Sequence, residues 1–199
     1  MTYLFIDTAN SFIISIIRDY EIIYYKNDIS NSDTSSKVMP ILDEAFKITN
    51  LTINDINKIF VVNGPGSFTG IRVGVTIAKT ICYCLGVPLI GLSELELMAT
   101  TNTNSDYVAP IIDARRGFVY GAIYDKNLNS YLKENHILLD ELKNKLPNNC
   151  VFVENSNDID LIRIIKKHEF DNSITPHELK PNYLKKTEAE ENLNDKRNN

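Results

Sequence analysis

Asn63-Gly64-Pro65-Gly66-Ser67-Phe68-Thr69-Gly70-Ile71-Arg72-Val73-Gly74 is the stretch on which the reading of this chain turns. Ahead of it stands Ile59-Phe60-Val61-Val62, a β-branched and aromatic run of the kind that makes a buried strand. Behind it, Val75 to Leu85 has neither Pro nor Gly and enough apolar positions for a helix. Gly64 and Gly66 supply crowded or left-handed backbone angles for a sharp strand-to-helix hinge, and Pro65 stiffens it. Ser67 or Thr69 can cap the helix by accepting one of its orphan N–H groups.

Three functional readings compete for the stretch. A phosphate loop needs Gly-x-x-x-x-Gly-Lys-Ser/Thr, and neither that spacing nor the lysine is here. A dinucleotide fingerprint needs a third glycine where Thr69 stands, and it opens a fold rather than following the fourth expected strand. The third reading is a packing device. Gly70, Gly74, Ala78 and Cys82 fall at i, i+4 steps and form a small-residue stripe that lets another backbone come close. Val73, Ile77 and Ile81 make a second apolar row, with Arg72, Thr76, Lys79 and Tyr83 as the polar one. Such a helix suits contact with its own sheet and with something else; the alternative is that the domain's own core covers it all.

At 199 residues the chain is long enough for a real core, in one domain or two small ones. A net charge of −5 and a pI near 5.3 argue against a stand-alone nucleic-acid binder. Cys82, Cys84 and Cys150 are an odd number, which fits a reducing compartment better than a disulfide framework. Cys82-x-Cys84 lacks metal-ligand spacing. Strand-like residues begin at Tyr3, leaving no signal-peptide pattern, and no apolar run looks long enough for a bilayer. A cytoplasmic location is expected.

Tyr3 to Ile6, Phe12 to Ile17 and Ile22 to Tyr25 read as a three-strand meander in which Asn and Asp, not Gly, supply the turns. A helix is expected from Ser36 to Thr49, with Val38, Ile41, Leu42, Ala45 and Phe46 on one face. The hinge, its helix, a short strand Pro88 to Ile90 and a Ser93-capped helix through Ala99 follow. The second half then repeats the first. One offset aligns Phe5-Ile6-Asp7 with Ile111-Ile112-Asp113, Phe12 with Phe118 and Asp19 with Asp125. Strands Val119 to Tyr124 and Tyr131 to Ile137, a helix near Asp140 to Lys145, a strand Val151 to Val153 and a helix Asp158 to His168 complete it. An α/β chain of two βββαβα-type subdomains is expected, 1–103 and a shortened 104–184, with residues 185–199 a disordered, charged tail.

The stretch Gly64 to Gly74 resembles the hallmark of the dimerisation-subunit family (TsaB, or YeaZ) of bacterial tRNA threonylcarbamoyladenosine synthesis. Ile6-Asp7-Thr8, Pro40-Ile41-Leu42, Gly91-Leu92-Ser93-Glu94-Leu95-Glu96, Ile112 to Gly117 and Pro181-Asn182-Tyr183-Leu184-Lys185 fit that family in order. The resemblance implies the duplicated actin/hexokinase/Hsp70-like fold. It also implies a non-catalytic subunit paired with a threonylcarbamoyltransferase (TsaD type) that holds the ATP and the metal, so no cofactor is expected on this chain. A third, ATPase-type subunit (TsaE type) would join them, tRNA being met through the complex. Val38, Ile41, Leu42 and Ala45 on the first helix, with Gly70, Val73, Gly74, Ile77, Ala78 and Ile81 on the hinge helix, would face the partner.

The catalytic relatives that the resemblance brings with it use His-x-x-x-His on one helix face, and this chain has Glu94 and Met98 at the matching positions. His136, His168 and His177 share no ligand spacing and read as surface or turn residues. Ser67 does not sit in Gly-x-Ser-x-Gly. Asp7 and Asp113 begin turns poor in glycine, which favours a turn-bracing role over Mg–ATP chemistry. Two rivals remain: an independent ATPase or kinase using Asp7 and Asp113, and a homodimer built on the same stripe. Family members commonly carry His near the start of the first helix, where Thr34-Ser35-Ser36 stands here.

Overall fold

The computed structural model describes residues 1–28, 34–155 and 158–185. The expected tail, Lys185 apart, lies outside them. Its first sheet is built from β1 (Thr2–Asp7), β2 (Ile13–Arg18), β3 (Glu21–Asn27), β4 (Lys58–Gly64) and β5 (Leu89–Ser93), in the order β3-β2-β1-β4-β5. β1 is antiparallel to β2 and parallel to β4, which is parallel to β5. Those parallel pairs need crossovers, and α1 (Thr34–Thr49) and α2 (Phe68–Leu85) supply them, with α3 (Glu94–Met98) following β5. Every residue of β1 is buried, as expected of a strand covered on both faces.

The second sheet runs β8 (Ser130–Leu138), β7 (Phe118–Asp125), β6 (Tyr107–Asp113), β9 (Cys150–Val153), with α4 (Leu139–Lys143) before β9 and α5 (Leu161–His168) after it. Its pairing copies the first sheet: β6 is antiparallel to β7 and parallel to β9, as β1 is to β2 and β4. Asp113 pairs with Val119 as Asp7 pairs with Ile13. The duplicated actin/hexokinase/Hsp70-like arrangement is therefore present, and among the described residues the second copy has no counterparts of β5 and α3. The principal core does not stop at the join. Val108, Ala122, Tyr124, Leu161 and Ile164 pack into the same apolar cluster as β1, β4 and α2.

Several boundaries differ from expectation for local reasons. α2 starts at Phe68, directly after its cap Ser67, so Thr69 is helical and not the cap. The β2–β3 hairpin turns at Asp19 (φ 50°) and Tyr20 (φ 65°), the latter a residue that sequence would not select for left-handed backbone. Tyr20 is held there by its hydroxyl, which donates to Glu169, and by Lys166 lying 5.0 Å over its ring. α2 also corrects the expectation about apolar runs: its 18 residues, with mean hydropathy 1.3, are long and apolar enough to cross a bilayer. Here it packs against β4 and β1, as a core helix does.

Candidate functional site

The hinge is drawn tightly onto the first turn of the chain. Ser67 N–H donates to the Ala9 carbonyl at 2.7 Å, and the Thr8 hydroxyl donates to the Gly70 carbonyl at 2.7 Å. The Ser67 hydroxyl accepts from Gly70 N–H at 3.2 Å, closing the helix start. The small residues are what allow this approach. A Cβ on Gly70 would lie 1.9 Å from the Thr8 carbonyl oxygen, and one on Gly74 would lie 2.3 Å from the Thr8 hydroxyl. Gly64 admits the C-terminal segment in the same way: a Cβ there would meet the Asn182 carbonyl at 2.6 Å. Its φ of 122° is in any case a glycine conformation.

This revises the expected partner face. Gly70, Gly74, Ala78 and Ile81 of α2, with Val38, Ile41, Leu42 and Ala45 of α1, are buried within the chain's own fold. The i, i+4 stripe is a docking track for the Thr8 turn, which periodicity alone could not reveal. Only Val73 and Ile77 of the expected set are half-buried and keep some outward surface.

The two turn aspartates take different environments. Asp7 is 0% exposed; its Oδ1 accepts from Ala9 N–H at 2.8 Å. Glu94, also 0% exposed at the start of α3, presents its carboxyl group to Asp7 within hydrogen-bonding reach. Burial, and next the Glu94 charge, push the Asp7 carboxyl well above the ordinary carboxylate range. Asp113 is exposed, and its Oδ1 accepts from Arg115 N–H at 2.9 Å. Both aspartates thus brace the turn two residues on, at equivalent places in the two copies.

The remaining polar groups at this end hold the halves together. Glu94 and Met98 are buried at the positions matching a His pair in the transferase. His168 bonds Glu96 at 2.9 Å and Asp171 at 2.6 Å, so it is a half-buried tie between α5 and α3 and not the surface residue expected. His136 stacks on Phe118 at 4.7 Å, and His177 meets the Tyr83 ring edge-on at 6.2 Å. Among the described residues no group of three or more His, Cys, Asp and Glu side chains could hold a metal ion.

The C-terminal segment, marked in sequence only by Pro181 to Lys185, proves to be a strap. Asn182 N–H donates to the Asn63 carbonyl at 2.7 Å, and its side-chain amide reaches Glu134 of β8 at 3.2 Å. Tyr183 stacks on Phe68 at 5.0 Å and accepts a hydrogen bond from Arg72 Nε at 3.0 Å. Upstream, the Tyr3 and Tyr20 hydroxyls both donate to the Glu169 carboxylate, which lies below its ordinary range because of those two bonds, Tyr20's first.

Comparison with known proteins places this geometry. A family model described as TsaD: tRNA N6-adenosine threonylcarbamoyltransferase matches residues 28–191. The tRNA threonylcarbamoyladenosine biosynthesis protein TsaB of Bacillus subtilis (strain 168) is 37% identical over 126 residues, 62% of this chain and 55% of that protein. The protein of the same name from Escherichia coli (strain K12) is 34% identical over 98 residues, 48% of this chain and 42% of that one. The chain thus spans about half the length of the curated relatives it matches. A solved structure of YeaZ from Pseudomonas aeruginosa shares the fold, with TM-score 0.76 and 17% identity over 92% of this chain and 99% of that one. A second Pseudomonas aeruginosa structure, described as similar to peptidase YEAZ, has TM-score 0.77 at the same identity and coverage. With most of its length matched, the chain belongs to the TsaD family of that model, and among curated proteins it is similar to those named TsaB.

Proposed function

We propose that this chain is a non-catalytic subunit of a cytoplasmic complex that forms threonylcarbamoyladenosine in tRNA. It supports a TsaD-type transferase, which holds the metal and ATP, and a TsaE-type ATPase joins the pair. One observation carries the non-catalytic part of this reading. The carboxyl of Asp7, which an ATPase of this fold would open to magnesium and phosphate, is fully buried and turned to Glu94. Family membership and the TsaB relatives support the tRNA reaction and the partnership. The three free thiols agree with a reducing compartment.

The partner surface we assign differs from the buried stripe. Among the apolar side chains that the two crossover helices leave within reach are Val73 and Ile77, half-buried on α2, and Met39 and Ile48, exposed on α1. Val73→Glu with Ile77→Glu is expected to weaken co-elution with the transferase at least tenfold, since desolvating two new carboxylates opposes association. Melting temperature should stay within a few degrees, because both sites are only half-buried. Formation of modified tRNA by the mixture should fall in parallel. Unchanged co-elution would refute the surface. Heat on titrating the isolated chain with Mg–ATP would refute the non-catalytic reading, and a stable dimer without transferase would favour the homodimer.

A further inference from the structure

An aromatic and cationic strip crosses the join between the two copies, and none of the hinge's packing requires it to be open. Phe68 is 45% exposed and Tyr183 37%, although the two rings stack at 5.0 Å. The Arg72 guanidinium lies 3.9 Å over the Phe68 ring. A cavity of 110 Å³ beside them is lined by Pro65, Gly66, Phe68, Tyr120 and Tyr183. Beyond it Tyr120 approaches His136 at 5.5 Å, and His136 in turn stacks flat on Phe118, with 11° between the planes. At the far end the β6–β7 turn carries Arg115 and Arg116, both exposed and both at positive φ, 66° and 55°.

Lys37, Lys47, Lys126, Lys143 and Lys167 are each paired with a carboxylate. Arg72, Arg115 and Arg116 have no such partner among the described residues. The nearby carboxylates are engaged: Asp113 accepts from Arg115 N–H at 2.9 Å, and Glu134 accepts from the Tyr124 hydroxyl at 2.9 Å and the Asn182 amide at 3.2 Å. In a chain with net charge −5, a row of part-exposed rings with Arg72 at one end and two exposed arginines at the other makes a locally basic strip.

We infer that this strip, from Arg72 and Phe68 through Tyr183, Tyr120 and His136 to Arg115 and Arg116, is a contact surface for the single-stranded loop of an RNA. Part-exposed aromatic rings accept unstacked bases without regard to identity, and flanking guanidinium groups neutralise the phosphates between them. An acidic peptide would use the arginines but not the run of rings. The inference rests on the tRNA reading above and deepens it: this chain touches the nucleic acid itself, so the transferase is not the sole RNA-binding part of the complex.

The test uses a fluorescein-labelled anticodon stem–loop RNA, with the full chain alone and with the transferase. Arg115→Glu with Arg116→Glu touches no core residue; it is expected to weaken stem–loop binding at least tenfold. It should also reduce the slope of log affinity against log salt by about 1.4, two phosphate contacts at roughly 0.7 each. Ultraviolet cross-linking followed by peptide mapping is expected to mark Phe68, Tyr120 or Tyr183. Unchanged affinity and slope, or cross-links confined to other residues, would overturn the inference. So would loss of co-elution with the transferase while RNA binding stays intact, since the strip would then be a protein-docking face. Stem–loop binding by a chain that fails to associate with the transferase would refute the proposed complex and leave the strip standing.

Discussion

Replacing Gly70 by alanine puts the packing of the hinge to a direct test. The added Cβ would fall 1.9 Å from the Thr8 carbonyl oxygen, where a carbon and an oxygen need about 3.3 Å. Relief therefore takes a backbone shift of more than about 1 Å. That carbonyl lies one residue past the end of the fully buried β1, and the shift also strains the 2.7 Å bond from the Thr8 hydroxyl to the Gly70 carbonyl. Overpacking of this kind costs about 1–3 kcal/mol and a weakened hydrogen bond about 1 more. The gain in helix propensity, below about 1 kcal/mol, offsets part of it. A net loss of about 2–3 kcal/mol should lower Tm by roughly 5–10 °C for a chain of this size. Calorimetric melts of Gly70→Ala and of Gly86→Ala settle the matter, because Gly86 has φ 68° but nothing within 4 Å of its would-be Cβ. The second variant should lose only about 1 kcal/mol. If Gly70→Ala melts as the wild type does and instead fails to bind the transferase, the stripe faces outward and the packing argument is wrong.

Two pH-dependent outcomes follow from the same end of the molecule. The native state holds a proton on Asp7 that the unfolded chain releases, so stability should fall as pH climbs above the ordinary carboxylate range towards the raised folded value. Asp7→Asn keeps the acceptor for Ala9 N–H and offers Glu94 a donor; its Tm should exceed that of the wild type by a margin that grows with pH, and a constant margin would exclude the upward shift at Asp7. At His168, burial pulls the pKa down, but the bonds to Glu96 and Asp171 outweigh it and leave the imidazole above its usual value. Its contribution is fully present below about pH 6.5 and is lost as pH rises through the folded value, so His168→Asn should flatten Tm between pH 6 and 8.

The repeat was legible because it is written in short-range signals. Ile6-Asp7 and Ile112-Asp113 sit at strand ends whose alternation and turn chemistry occur twice, and the structure gives both copies the same sheet order. The Ser67 and Ser93 caps were legible for the same reason. What covers a stripe is a different matter. Gly70 and Gly74 announce close approach by something, and only the folded chain shows that it is Thr8, about sixty residues earlier. Glu94 was read for the histidine it lacks, since a carboxyl beside an apolar run gives no sign that it will be buried against Asp7. Phe68 with Tyr183, and Tyr3 with Glu169, join residues more than a hundred positions apart by single contacts that leave no periodicity to detect.

Loss of a nucleotide site and gain of a rigid scaffold are one structural event here. A phosphate at the hinge would need free N–H groups at the two facing turns. Ala9 N–H is given to Asp7, Ser67 N–H to the Ala9 carbonyl, Gly70 N–H to the Ser67 hydroxyl and Ile71 N–H to the Ser67 carbonyl. Those four donors are spent on the chain's own acceptors. The glycines that in a phosphate loop make room for a ligand here make room for Thr8, Ala9 and Asn182. Opening the site would mean withdrawing the α2 terminus from the first turn, exposing the Asp7–Glu94 pair to water and releasing the strap that ties Asn63 to Glu134 through Asn182. The first two steps break packing within the first half and the third cuts a tie between the two sheets, so turnover at this hinge and stability of this fold exclude one another.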